Sequence, residues 1–253
     1  MQTFELLDRL ELISPNNTFF TDLRKTILNN DQFALFRLLQ QQTSSQLVEG
    51  LRKYKDNTEF NADCFSRGQL ESKLWLVKEL QKTKVDLGTV FLCAGWYATL
   101  ATMLFESSIT VDKIRSFDID DTCRDIAETF NKPWVKDNWK FKSSTKDIMD
   151  INYEFERYEV IRADGTTCPL DDTPDTIINT SCEHIENFEE WYAKIPVGKL
   201  VILQSNNFFD VDEHVNCVED CTQFRITAPM TTQLYVGELQ LPKYKRFMLI
   251  GYK

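Results

Sequence analysis

A strand, a tight turn, a helix and a second strand follow one another in residues 89–120. The apolar run at 90–92 is broken by a turn at 93–96, and helix-forming residues follow at 98–105. The second strand ends at Asp118, whose carboxylate can accept hydrogen bonds from both hydroxyls of a ribose. Backbone N–H groups of the turn would lie beside the rest of the ligand. This unit predicts a parallel sheet with a site for a ribose-bearing molecule at its strand ends.

Strands alternate with helices along most of the chain. Strands are predicted at 90–93, 114–118, 139–146, 175–180 and 199–205, and helices at 63–80, 96–106, 121–130 and 186–195. Two further strands, 233–241 and 244–252, close the chain and would join the sheet edge antiparallel. Alternating strands and helices require right-handed crossovers, so the pattern predicts an α/β fold with a mostly parallel sheet.

These patterns divide the chain into two regions. Residues 1–62 carry helical patterns and would form a lid or an interface. Residues 63–253 would form the α/β domain. Inside that domain, Asp164-Gly165 lies between alternating polar and apolar residues, a pattern typical of hairpin turns. An inserted β-hairpin is therefore predicted near 153–167.

The composition limits the classes of partner. The chain has 253 residues, 42% of them hydrophobic, which is enough for a sizeable core. Its 29 basic and 39 acidic residues give a net charge of −10, and no run of basic residues is present. Because such a surface repels phosphate backbones, a small-molecule substrate is expected and a nucleic-acid partner is not. The oligomeric state is left open.

Seven cysteines and two histidines are present, with no Cys-x-x-Cys pair. A structural zinc site is therefore not predicted, and free thiols in a reducing compartment are expected. The chain shows neither a signal-peptide pattern nor an apolar stretch of membrane-spanning length. These features predict a soluble cytoplasmic protein with no metal ion.

Acidic residues follow two of the predicted strands. Asp120 or the next residue can cap the following helix, which leaves Asp118 without a local partner and available to the ribose. Asp147 can accept a hydrogen bond from an exocyclic amine while Ile148 covers the face of an aromatic ring. Asp164 is the alternative to Asp147, although its Asp-Gly sequence is more typical of a turn.

The segment 175–185 runs from an apolar strand into a Glu-His pair, and an amphipathic helix follows. Asp175-Thr-Ile-Ile, Glu183-His184-Ile185, Val197-Gly198-Lys199 and a strand ending near Asn207 occur in the order found in class I S-adenosylmethionine-dependent methyltransferases. By these motifs residues 85–253 resemble small-molecule branches of that family. The resemblance implies a seven-stranded Rossmann-like sheet whose strand tips bind S-adenosylmethionine as cofactor.

The resemblance also implies which residues contact this cofactor. Carried over position by position, they are Ala94 and Gly95 at the methionine part, Asp118 at the ribose, Ile119 as a further cofactor contact, Asp147 with Ile148 at the adenine, and Thr180 and Ser181 near the sulfonium. Gln69 and Arg67 can bind the carboxylate of the cofactor, although the start of a surface helix explains both residues equally well. Only one glycine stands in the first turn, where the family usually has more.

Candidate catalytic residues lie after the two strands that precede the closing pair. Glu183 and His184 can supply a general base for a hydroxyl or amine acceptor, or can instead cap the following helix. His214 and Asn207 lie after the next strand, where substrate contacts often gather. The proline-containing motif of base-amine methyltransferases is absent at 179–182, which argues against DNA bases. These residues predict an enzyme that methylates an oxygen or nitrogen of a small molecule.

Two alternatives remain open from the sequence. An aminopropyl or aminocarboxypropyl transferase would use the same fold and a related cofactor, and would be distinguished by an acidic pocket for a polyamine. A non-catalytic binding protein would retain the fold without the activity, as the single glycine of the first turn suggests.

Overall fold

The computed structural model describes residues 18–29, 53–54, 60–161 and 164–253. Its helices are α1 (Phe19–Leu28), α2 (Arg67–Thr83), α3 (Thr99–Glu106), α4 (Cys123–Phe130), α5 (Lys132–Lys136), α6 (Phe188–Lys194) and α7 (Cys221–Thr227). Its strands are β1 (Thr89–Cys93), β2 (Lys113–Asp118), β3 (Phe141–Thr145), β4 (Glu156–Ile161), β5 (Thr167–Asp172), β6 (Thr176–Asn179), β7 (Leu200–Asn206), β8 (Thr232–Gln240) and β9 (Lys245–Tyr252). Within the described ranges no helix is long and apolar enough to cross a membrane. The predicted helical patterns of residues 1–17 and 30–52 lie outside the described residues.

Seven strands form one sheet in the order β3-β2-β1-β6-β7-β9-β8. The first five strands in this order are parallel, and β9 runs antiparallel to both of its neighbours. The predicted α/β fold, with a mostly parallel sheet and an antiparallel C-terminal strand, is confirmed. The chain builds outward from β1 to β3 and then returns to the other side of β1 through β6. In open α/β sheets, ligands bind at such a reversal, beyond the carboxyl ends of the strands.

Differences from the predicted helices include a later start of the helix after β1 and two short additional helices. The helix predicted at 96–106 begins only at Thr99, because Trp96 and Ala98 adopt left-handed backbone conformations with φ of 50° and 49°. Helices α5 and α7 were not predicted. They contain five and seven residues, too few for a helical period to be recognised in the sequence.

Alternate residues of each central strand pack on opposite faces of the sheet. Leu92 packs in the apolar core that contains Leu76 of α2 and Leu104 of α3. Phe91, the preceding residue, packs in a second core that contains Trp191 of α6. Both faces are therefore covered by helices, as expected for parallel strands made of continuous apolar runs. The carboxyl edge of the sheet remains as the place where polar side chains gather.

A two-stranded hairpin of β4 and β5 lies outside the main sheet. Its second strand extends to Asp172, five residues beyond the predicted end at 167. The Asp172 carboxylate lies 2.7 Å from Nε of buried Arg115 and 3.1 Å from Nζ of Lys113, both on β2. The Tyr158 hydroxyl of β4 contacts the same carboxylate. These contacts fasten the hairpin to the main sheet.

Candidate functional site

The sheet edge at the carboxyl ends of β1, β2, β6 and β7 carries most of the predicted site residues. Gly95 follows β1, and Asp118 is the last residue of β2. Thr180 follows β6, and Asn207 follows β7. Parallel strands bring their carboxyl ends to one edge, so side chains far apart in the sequence meet there.

Asp118 connects the turn after β1 to the loop after β2. Its Oδ2 accepts a hydrogen bond of 2.7 Å from the Trp96 N–H, and its Oδ1 accepts one of 3.1 Å from the Asp120 N–H. The expectation that Asp118 has no local partner is therefore wrong, because the turn folds back onto its carboxylate. Burial raises the pKa of Asp118, and the two backbone donors oppose that shift. One donor on each oxygen leaves further acceptor capacity on both.

The turn after β1 contains three residues in the left-handed region. Ala94, Trp96 and Ala98 have φ values of 50°, 50° and 49°. None is glycine, so each conformation carries a local cost, and such residues cluster at functional sites. Gly95 is needed for a different reason, because a Cβ there would lie 2.1 Å from Oγ of Ser116 on β2.

Backbone N–H groups of this turn are largely used within the protein. The Gly95 N–H donates to the Phe117 carbonyl at 3.0 Å, and the Ala98 N–H donates to the Gly95 carbonyl at 2.8 Å. With the Trp96 N–H bonded to Asp118, three donors of the turn have internal acceptors. These three N–H groups are therefore already used within the protein, and the position of the turn beside the rest of a ligand stays a prediction.

The residues expected at an adenine differ in exposure. Asp147 begins a 3₁₀ turn, with its Oδ1 2.8 Å from the Met149 N–H. Ile148 is 6% exposed and belongs to a core cluster, whereas Ile119 is 73% exposed beside Asp118. Ile119 therefore offers more apolar surface at this edge than Ile148. Asp164 lies in the hairpin turn and accepts a hydrogen bond from the Thr166 N–H at 2.9 Å, which is turn chemistry.

Several buried polar atoms near the carboxyl ends of β2, β6 and β7 have no hydrogen-bond partner within the described residues. Asn179 uses its Oδ1 to accept from the Ser181 N–H at 2.8 Å, but its Nδ2 has none. The hydroxyls of Ser116 and Ser205 are also buried without a hydrogen-bond partner among the described residues. An unpartnered buried polar atom costs about 1–3 kcal/mol, so a group of them at one edge marks a place that a polar ligand can satisfy.

Two buried basic side chains, Lys73 and Arg246, lie near the Glu183 carboxylate. Lys73 of α2 donates to Oε1 of Gln69, the residue expected at the cofactor carboxylate. Burial lowers the pKa of Lys73 to about 7, and the nearby charge of Arg246 adds to this effect. Arg246 lies 3.1 Å from Oε1 of Glu183 and also donates to the Thr180 carbonyl. These two basic side chains can donate hydrogen bonds to an anionic group at this part of the edge.

Sequence analysis did not identify Lys73 or Arg246 as site residues. Lys73 occupies the apolar side of its helix, three residues after Leu70 and three before Leu76. A lysine in that stripe is an identifiable signal, since a buried lysine is uncommon without a function or a partner. Arg246 gives no comparable signal, because its burial depends on the pairing of β9 with β7.

Glu183, His184 and His214 come together although they belong to different loops. Nδ1 of His184 lies 3.0 Å from the Glu213 carbonyl oxygen, and Nδ1 of His214 lies 2.8 Å from that of Phe208. The two rings are 4.7 Å apart, centre to centre.

Asn207 differs from expectation in its contacts: its Oδ1 accepts from the Lys245 N–H at 2.8 Å and so holds β9.

A cleft of about 430 Å³ lies at the opposite, amino edge of the sheet. It is lined by Gly88 before β1, Asp175 before β6 and Lys199 before β7, among others. Because ligands of parallel sheets bind at the carboxyl ends, this cleft is not the candidate site.

Comparison with known proteins identifies similar folds. No protein-family model and no curated protein sequence matches the chain. The N-methyltransferase NodS from Bradyrhizobium japonicum WM9 in complex with S-adenosyl-L-homocysteine is 10% identical, with a TM-score of 0.56 over 81% of this chain and 97% of that one. Magnesium protoporphyrin IX methyltransferase ChlM from Synechocystis PCC 6803 with bound S-adenosylmethionine is 12% identical, with a TM-score of 0.52 over 83% and 92%. The YcgJ protein from Bacillus subtilis is 9% identical, with a TM-score of 0.51 over 72% and 98%. The chain has the fold of the class I S-adenosylmethionine-dependent methyltransferases.

Proposed function

We propose that the protein is an S-adenosylmethionine-dependent methyltransferase. The observation that carries this proposal is the position of Asp118 at the tip of β2. Its two oxygens each have one backbone donor and further capacity for a ribose hydroxyl. The neighbouring turn holds three non-glycine residues in left-handed conformations, as strained functional sites do.

The polar and apolar groups of the edge fit the parts of this cofactor. Asp118 would bind the ribose, and Asp147 with Ile119 and Ile148 the adenine. Ala94 and Gly95 would lie at the methionine part. Its carboxylate would be held by Gln69 and buried Lys73, which already contact each other. The unpartnered Nδ2 of Asn179 is a donor for an acceptor atom of a polar ligand, and it precedes Thr180 and Ser181, which are proposed to lie near the sulfonium.

Methyl transfer needs alignment more than proton chemistry. When bound, S-adenosylmethionine supplies an electrophilic methyl group on its sulfonium. The residues of this edge would hold an oxygen or nitrogen acceptor in line with that group, which converts a two-molecule reaction into one within a complex. His184 can assist as a base through Nε2, because its Nδ1 is already paired with a backbone carbonyl. Glu183 and His214 lie beside it. Asn207, which follows β7, is proposed to contact the acceptor.

The acceptor is proposed to be a small molecule and the location cytoplasmic. The net charge of −10 disfavours a nucleic-acid substrate. The N-terminal region, 1–62, is proposed as a lid or interface. This is supported by an aromatic cluster in which Tyr54 and Phe60 pack against Phe130 of α4 and Phe60 stacks on Tyr97.

An activity assay tests this proposal. The full chain would be incubated with S-adenosylmethionine and a panel of small hydroxyl and amine compounds, and the release of S-adenosylhomocysteine would be measured. We expect release that depends on at least one acceptor and falls at least tenfold in Asp118→Asn. Release of methylthioadenosine instead would support an aminopropyl or aminocarboxypropyl transferase. Cofactor binding without turnover would favour a non-catalytic binding protein.

A further inference from the structure

We propose that Glu183, His184 and His214 bind a divalent transition-metal ion. Each of these side chains, one carboxylate and two imidazoles, offers one ligand atom. The three ligand atoms lie within 4.8 Å of one another. Glu183 and His184 come from the turn after β6, and His214 comes from the loop after β7. The group therefore lies at the same carboxyl edge as the proposed cofactor site, but in different loops from Asp118.

Both histidines make a backbone hydrogen bond of the kind that metal-binding histidines usually make. A backbone carbonyl can only accept a hydrogen bond, so Nδ1 of each ring must carry the proton that faces Glu213 O or Phe208 O. In the neutral ring this leaves Nε2 unprotonated, with a lone pair for a metal. Metal-binding histidines commonly donate their second ring N–H to a carbonyl in this way, which fixes the tautomer and the ring direction.

The Glu183 carboxylate provides independent support. Its side chain is 3% exposed, and its Oε1 lies 3.1 Å from Nη2 of Arg246. Its Oε2 is buried and has no partner among the described residues. A buried carboxylate oxygen without a donor is costly, and a metal bond would satisfy it. Arg246 would then hold the carboxylate in position through the other oxygen.

The surrounding charge and geometry allow such an ion. The loop before His214 contains Asp210, Asp212 and Glu213, whose negative charges favour a cation in this region. Metal–ligand bonds of about 2.0–2.2 Å place neighbouring ligand atoms roughly 3–3.5 Å apart, so the side chains would have to move together by about 1–2 Å. His184 is exposed and can make that movement. Two imidazoles with one carboxylate suit Zn²⁺, Co²⁺ or Fe²⁺ better than Mg²⁺ or Ca²⁺.

If the protein has the proposed function, on which this part of the inference rests, the ion would select the kind of acceptor. Three protein ligands leave coordination positions open for an added molecule. An acceptor hydroxyl that fills one of them loses its proton to solvent more readily, because the ion lowers its pKa. Its oxygen then forms the bond to the methyl carbon as the carbon–sulfur bond breaks, and the sulfur keeps the electron pair. In this arrangement Glu183 and His184 hold the ion, and neither acts as the base.

Metal binding can be measured without cofactor or acceptor. The full chain, treated with EDTA and dialysed, would be titrated with Co²⁺ while visible absorption is followed, and with Zn²⁺ by calorimetry. We expect one ion per chain, and a loss of affinity of at least about tenfold in His184→Ala, His214→Ala and Glu183→Gln. Glu189→Gln, which neutralises an exposed carboxylate on α6, should bind as the wild type does. Circular dichroism would establish that each variant is folded; exposed His184 is the safest substitution.

Two results would overturn the inference. One is the absence of stoichiometric Co²⁺ and Zn²⁺ binding to the wild type. The other is equal binding by wild type and a folded His184→Ala variant. Titration of the same metal-free protein with S-adenosylhomocysteine separates the two proposals: cofactor binding without metal binding refutes only the metal site, and metal binding without cofactor binding refutes only the proposed function.

Discussion

At the scale of single residues, Gly95 and Asp118 hold the turn after β1 against the tip of β2. Gly95 lets the turn approach Ser116, and Asp118 accepts the N–H that the turn presents. The glycine is not in the left-handed region, so its role is steric rather than conformational. This distinction can be tested separately from ligand binding.

Gly95→Ala is expected to destabilise the protein by roughly 1–3 kcal/mol, the usual range for overpacking. The added Cβ would lie 2.1 Å from Ser116 Oγ. Ser116→Ala should restore part of this loss in the double variant, because it removes that oxygen. Alone, Ser116→Ala should cost little, since the hydroxyl is buried without a partner among the described residues. Urea unfolding of the wild type, the two single variants and the double variant measures the coupling energy between the two substitutions. Strictly additive losses of stability would contradict the steric explanation.

Individual site residues could be predicted only where a local pattern locates them. Asp118 and Asp147 follow strands that the apolar pattern predicts, so their places at the sheet edge follow from topology. The use of the turn's N–H groups could not be predicted, because it depends on left-handed residues such as Ala94 that are not glycines. The meeting of His184 with His214 depends on the path of the loop after β7, for which the sequence has no periodic signal.

At the scale of elements, the β4–β5 hairpin depends on its contacts with β2. Asp164-Gly165 predicts the turn, because that dipeptide favours the required backbone conformation. The anchor was not predicted, since Arg115 and Asp172 are 57 residues apart and pair only in the folded chain. The mostly parallel sheet could be predicted from the sequence, because strands that alternate with helices connect through right-handed crossovers. The order of its strands was not predicted.

Asp172→Ala is expected to lower the free energy of unfolding by about 3–5 kcal/mol, because it leaves the buried Arg115 guanidinium without its counterion. Burial raises the pKa of Asp172, but the Tyr158 hydroxyl and the Arg115 charge outweigh it and hold that pKa below the ordinary value. The pair therefore stabilises the protein above the ordinary carboxyl pKa, and this contribution is lost as the pH falls through the lower folded value.

Asp171→Ala is the matched control for this change. Asp171 pairs with Arg157 at 2.7 Å on an exposed part of the same hairpin. Exposed pairs contribute little, so its loss should leave stability nearly unchanged. Urea unfolding compares the two variants at neutral pH. Equal losses in stability would show that the buried anchor has no special role.

At the scale of the whole molecule, helix α2 and the sheet bring Lys73, Arg246 and Glu183 together at one edge. Lys73 is buried, which disfavours its charged form, and its pKa is therefore about 7 rather than 10.5. A lysine whose pKa is lower in the folded state than in the unfolded state destabilises the fold most at low pH. The penalty is complete below about pH 7 and disappears as the pH approaches the unfolded value.

Lys73→Met is accordingly expected to stabilise the protein by roughly 2–4 kcal/mol near neutral pH, with the gain shrinking as the pH rises. Urea unfolding of wild type and variant at about pH 6.5 and about pH 9.5 measures the change. Lys78→Met, on the same helix but exposed, is the control and should show no such pH dependence. A gain that is the same at both pH values would mean that Lys73 is charged throughout.

The central claim is that the carboxyl edge of the sheet binds S-adenosylmethionine through Asp118. Calorimetric titration of the full chain with S-adenosylhomocysteine tests it, with Asp118→Asn beside the wild type and Asp120→Asn as a control for loss of charge in the same loop. We expect one molecule per chain, a dissociation constant below about 1 mM, and a tenfold to hundredfold weakening, or about 1.4–2.8 kcal/mol, in Asp118→Asn alone. No binding at millimolar ligand, or equal affinity in wild type and Asp118→Asn, would contradict the claim.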